Sequence, residues 1–162
     1  MTDLRSLFEE LGFSRVTTLI ASGNVIFESH VNDTALLETQ IESHLKQALG
    51  YRVPTFIRSS KEIVAIAKYQ PFSLEPNSDS HILSVMFMAE SLPRDVQQTF
   101  LTFQTPIDEF HIYGREIYWL RRKKTSESLV DWKLLGKTIT MPTVTVRNIT
   151  TVRKLAERYG ND

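Results

Sequence analysis

Arg147 and Asn148 stand immediately ahead of an apolar series at helical spacing, Ile149, Val152, Leu155 and Ala156, with Thr150, Thr151 and Lys154 in the first turns of that series. Such a junction suits an anion. The first N–H groups of a helix lack intrahelical partners and carry partial positive charge, and the arginine, threonines and lysine add donors around a phosphate or carboxylate. The same residues also serve a structural reading, in which Asn148 caps the helix and Arg147 pairs with an internal carboxylate. A second constellation sets Tyr118 and Trp119 ahead of Arg121, Arg122, Lys123 and Lys124. Rings for stacking beside cations for phosphate are what single-stranded nucleic-acid surfaces combine, although a charge run after a strand also makes an ordinary solvated loop.

Other reactive residue types are poorly arranged for chemistry. Ser22-Gly23-Asn24 lacks the Gly-x-Ser-x-Gly frame of an activated serine and has no histidine close in sequence, so it reads as a turn motif. His30, His44, His81 and His111 lack the spacing of a metal site, and no metal or cofactor is expected. In the stretch Asp108, Glu109 and His111, strand alternation puts Glu109 and His111 on one face and Asp108 on the other. A solvated strand surface accounts for these three more simply than acid–base catalysis does.

The 162 residues are 41% hydrophobic and 23% charged, an ordinary globular composition of one or two small domains that buries roughly 70% of its unfolded surface. With no cysteine there is no disulfide framework, thiolate metal site or thiol nucleophile, and a reducing compartment is the natural setting. Nineteen basic and nineteen acidic side chains cancel, but unevenly. Residues 115–158 hold eleven Lys and Arg against four Asp and Glu, net +7, while residues 1–114 hold eight against fourteen, net −6. No apolar run reaches the length of about 18 residues that spans a bilayer, and the opening residues do not read as a signal peptide. The expected location is the cytoplasm, with no membrane partner.

The elements that must position these residues follow from periodicity. Leu4, Leu7, Phe8 and Leu11 predict a helix after Thr2, ended by Gly12; residues 16–22 and 25–28 predict a hairpin about Gly23-Asn24. A helix is predicted over 33–49 ending at Gly50, a strand over 53–58, and a short helix opened by the capping-box pair Ser59 and Glu62. The second half predicts a strand over 81–88, a helix opened by Ser91 and Pro93, a hairpin of 107–112 and 116–120 about Gly114, a helix over 129–135 ending at Gly136, a strand over 142–146, and a last helix capped by Asn148. Residues 81–147 thus read β-α-β-β-α-β, and residues 2–58 read the same string without its first strand. The expected fold is α+β, with two duplicated ferredoxin-like (βαββαβ) halves, antiparallel sheets and a C-terminal helix. The expected organisation is a first half over 1–70, a linker over 71–80 and a second half over 81–162, the halves intertwined. Arg-Val-Pro-Thr at 52–55 and Met-Pro-Thr-Val at 141–144 open the last strand of each repeat.

Asp-Leu-Arg at 3–5 with Leu-Gly-Phe at 11–13, Ala-Ser-Gly-Asn-Val-Ile-Phe at 21–27, and Thr-Val-Arg-Asn-Ile-Thr-Thr-Val-Arg-Lys-Leu at 145–155 resemble the bacterial domain-of-unknown-function 1697 family. Weaker likeness lies at 50–54 and 114–118. The resemblance implies a duplicated α+β fold of two intertwined ferredoxin-like halves, with no established activity. It departs in two places: family members usually open with a strand and Gly-rich turn before the first helix, and the family's Gly-x-x-x-Ser-Lys-Leu segment is here the run from Lys124 to Leu129. In a βαββαβ sheet the first strand lies between the third and fourth, so its place must be filled. The expected solutions are a natural chain that is longer at its amino end, a homodimer through the bared edges, or a strand lent by the other half. The functional expectation is a module binding a small anionic ligand or a protein partner at the last helix. The alternatives are a phosphate-handling or group-transfer enzyme at that junction and a single-stranded nucleic-acid binder through the basic region.

Overall fold

The computed structural model describes residues 4–19, 23–72, 81–122 and 128–160. The chain divides into two compact units, Met1–Arg58 and Ser59–Asp162. In the first, α1 (Leu4–Glu10) leads through Gly12, at φ +90°, into β1 (Ser14–Leu19), which pairs antiparallel with β2 (Asn24–Glu28). α2 (Thr34–Leu49) is capped by the Asp33 side chain, which accepts from the Leu36 N–H, and ends at Gly50 with φ +83°. These left-handed turns need glycine because a Cβ there crowds the following carbonyl. Leu7, Phe8, Phe13, Val16, Leu37, Ile41 and Leu45 form the core, with Phe27 stacked on Phe13 at 4.4 Å.

Two sequence expectations change in this unit. Asn24 pairs with Leu19, so the connection is residues 20–23 and Asn24 belongs to β2; only Gly23, at φ +67°, keeps its turn role, and Ser22 lies outside the described residues. Residues 53–58 form no strand. They have no strand neighbour among the described residues, and two of their N–H groups turn to α2 instead: Thr55 N donates to Glu42 Oε1 at 2.9 Å and Ile57 N to Glu38 Oε2 at 2.7 Å. Side-chain carboxylates take the donors that a ladder would otherwise accept.

The second unit contains α3 (Ser60–Lys68), β3 (Ile82–Phe87), α4 (Arg94–Leu101), β4 (Asp108–Tyr113), β5 (Glu116–Arg121), α5 (Trp132–Thr138), β6 (Thr145–Asn148) and α6 (Ile149–Tyr159). Its sheet has the order β4-β5-β3-β6 with every pairing antiparallel, so the first strand of the βαββαβ string lies between the third and the fourth. That is the ferredoxin-like order. Met86, Phe110 and Ile117 on one sheet face pack with Phe100 of α4 and Leu135 of α5. On the opposite face Val85, Tyr118 and Leu120 are buried, and α6 contacts β3.

The capping box of Ser59 and Glu62 opens α3 as the sequence predicts, but α3 packs against α6 within this unit, so the division of the chain falls ahead of Ser59 and not within residues 71–80. α5 starts later than its pattern suggests, because Asp131 accepts from the Leu134 N–H and caps it; it then continues through Gly136. β6 likewise begins three residues after Pro142. Among the described residues this is a mixed α+β fold of two antiparallel sheets and six helices, and no described helix is long and apolar enough to cross a membrane.

Candidate functional site

The β6–α6 junction is the stretch that the sequence marked for an anion. Arg147 lies opposite Val85 of β3, and its Nη1 donates to Thr145 Oγ1 at 2.7 Å and to the Val146 carbonyl at 2.9 Å. Its Nε is buried without a partner, and among the described residues no carboxylate pairs with the guanidinium. Asn148, exposed at the helix start, accepts from the Thr150 N–H at 2.8 Å, which is the expected cap. Thr151 is half-buried and Lys154 exposed.

The aromatic-plus-basic run is dispersed. Strand alternation turns Tyr118 and Trp119 to opposite faces of β5. Tyr118 is 1% exposed. Trp119 donates its indole N–H to Asp108 Oδ1 at 2.9 Å and packs against Phe110 and Trp132. The pair therefore offers no common stacking surface. Arg122 is tied to Glu109 at 2.6 Å, Arg121 keeps a buried, unpartnered Nε, and Lys123 and Lys124 lie outside the described residues.

Asp108 corrects the reading of its strand as a solvated surface, since it is 1% exposed. Thr105 Oγ1 donates to Oδ2 at 2.7 Å and the Leu129 N–H to Oδ2 at 2.9 Å; Ser128 Oγ donates to Oδ1 at 2.8 Å beside the Trp119 indole. Burial pushes the carboxyl pKa up, but the hydrogen bonds from Thr105, Leu129, Ser128 and Trp119 together outweigh it and hold the group below its ordinary value. A carboxylate with four donors is spent on structure. The only sequence signal was the Thr-x-x-Asp spacing from Thr105, which suits a side-chain turn.

On the other face Glu109 and His111 fall together, as alternation predicts, and His111 joins a cluster that the sequence did not suggest. Tyr69, the residue capping α3 at its C-terminus, places its hydroxyl 2.7 Å from His111 Nε2. Its ring lies 4.7 Å from that of Tyr113 and 5.1 Å from that of Tyr118, and Phe72 meets His111 edge-on. In the first unit His44 Nε2 meets Glu10 Oε2 at 2.8 Å. Among the described residues, no group of three or more His, Asp or Glu is placed to hold a metal.

A family model described as "Protein of unknown function (DUF1697)" matches residues 1–118, and the chain belongs to this family. The solved structure of the conserved bacterial protein SP0830 from Streptococcus pneumoniae is similar in fold, with a TM-score of 0.73 at 21% identity, over 96% of this chain and 86% of that one. No curated protein matches the chain.

Proposed function

We propose that this protein is a cytoplasmic binding module whose ligand is a small anion, held at the β6–α6 junction. The supporting observation is Arg147, whose guanidinium is steadied by Thr145 and Val146 yet neutralised by no carboxylate among the described residues. An arginine held in place with donors to spare, next to a helix start, is suited to a phosphate or carboxylate. Thr150, Thr151 and Lys154 supply further donors along the first turns.

The test is a thermal-shift titration with inorganic phosphate, nucleotides and sugar phosphates, since a ligand of the native state alone raises apparent stability. Wild type gains stability with at least one of these anions and Arg147→Ala loses that gain. Asn148→Ala costs about 1 kcal/mol of stability through the lost cap. An Arg147→Ala protein stabilised by every anion as wild type is would exclude the junction as the site.

The partner side of the same reading is self-association through the first unit. β2 pairs with no strand except β1 among the described residues, and residues 25–27 are only half-buried. A second copy laid along that edge supplies a ladder. Light scattering of the purified chain that gives a monomer mass at every concentration rejects it.

A further inference from the structure

In the second unit β3 lies between β5 and β6 and pairs antiparallel with both. In chain order β1, β2 and residues 53–58 correspond to β4, β5 and β6, and among the described residues no strand takes the place that corresponds to β3. Both borders of that place exist. Val25 and Phe27 of β2, and Val53 and Ile57 of the later segment, pack against one core. Among the described residues β2 pairs with β1 alone, and the backbone of residues 53–57 makes no bond to another backbone group. Side chains satisfy it instead. Glu42 and Glu38 accept from the Thr55 and Ile57 N–H groups, while the Val53 carbonyl accepts from Thr55 Oγ1 at 3.2 Å and the Ile57 carbonyl from Arg58 Nη1 at 2.8 Å. Thr55 and Ile57 are two positions apart, the spacing at which a strand turns its N–H groups to the same side. The two carboxylates therefore occupy one row of ladder donors.

We propose that this place receives an extended segment of a partner polypeptide, which enters as one strand antiparallel to β2. The second unit defines the occupant, because there the same place is held by the six residues of β3. Alternate side chains of the segment are apolar, since one of its faces lies over the core of Leu7, Phe8, Leu37 and Ile41. Its main-chain carbonyls take the Thr55 and Ile57 N–H groups, and Glu38 and Glu42 are released. Ladder bonds then supply affinity, and the apolar alternation supplies selectivity. This engagement uses both borders, whereas self-association along β2 uses one. It is independent of the Arg147 junction.

The probe is a peptide of about eight residues alternating valine and threonine and closed by lysines, and the control is the same peptide N-methylated at alternate residues, which removes its ladder donors. Added to the whole chain, the probe slows hydrogen exchange at the Thr55 and Ile57 amides and in β2 by about tenfold or more, leaving β3 and β5 unchanged. The methylated control does not. In the double variant Glu38→Ala, Glu42→Ala, the Thr55 and Ile57 amides exchange rapidly alone and regain protection with the probe, because the added strand supplies the lost acceptors. If that variant does not fold, the wild-type measurement decides by itself. Light scattering at the same concentrations separates the two uses of the edge: a monomer that takes up the probe supports the strand site and rejects self-association, and a dimer that the probe splits supports both. No slowing in wild type, or equal slowing by the methylated control, overturns the proposal.

Discussion

Asp108 illustrates how little a residue's type says about its role until its surroundings are known. Its carboxylate is dehydrated, yet four donors from Thr105, Trp119, Ser128 and Leu129 converge on it, and they stabilise the charged form more than burial penalises it. The folded carboxyl therefore gives up its proton more readily than the unfolded one. Between its lowered folded pKa and the unfolded value near 3.9, the unfolded chain binds more protons, so this stabilisation is complete above about pH 4 and is lost as pH falls through the folded value. Urea unfolding of wild type from pH 6 downward should show that loss. Asp108→Asn should be less stable by about 2 kcal/mol at neutral pH, since its amide turns a donor toward donors, and the acid-dependent loss assigned to this group should vanish. Equal pH profiles in the two proteins would remove Asp108 from the account.

At the scale of elements, residues 53–58 show what an extended segment does without a ladder. Val53, Ile57 and the half-buried Phe56 carry a strand-like pattern, but pattern specifies only which side chains seek the core. Backbone donors need acceptors as well, and here Glu38 and Glu42, one turn apart on α2, provide them. Glu38 is only 8% exposed, which identifies it as part of the construction of this unit and not as solvent-facing charge. Replacing both glutamates by alanine should cost about 1 to 3 kcal/mol for each N–H left unpaired and should accelerate hydrogen exchange at the Thr55 and Ile57 amides. Unchanged exchange at those two amides in the double variant would mean that the carboxylates do not hold the segment. The same distinction explains α5: Leu129 carries the apolar spacing of a helix, yet its N–H is committed to Asp108, so the helix waits for the cap at Asp131.

For the whole molecule, the two units differ in how far their sheets are completed. Among the described residues the second has four strands with apolar cover on both faces of the central pair, whereas the first has two strands and an unladdered segment. A two-stranded ribbon has little independent stability, so hydrogen exchange should be slowest in β3 and β5 and measurably faster in β1 and β2. Protection in β1 equal to that in β5 would contradict this ordering. Much of this was present in the sequence alone, because it rests on short-range physics: the caps at Asp33, Ser59 and Asn148, the left-handed glycines at 12, 50 and 114, and the βαββαβ string of the second half all follow from local hydrogen bonding and periodicity. What the tertiary structure decided are the contacts between residues distant in sequence. Tyr69 reaches His111 across 42 positions, Glu38 reaches Ile57 across 19, and Ser128 reaches Asp108 across 20. Neither periodicity nor propensity encodes such pairs, since the position of each partner depends on how the elements between them pack, and burial of the Asp108 carboxylate, exposure of the Tyr113 ring and the lack of a carboxylate on Arg147 among the described residues are all set by that packing.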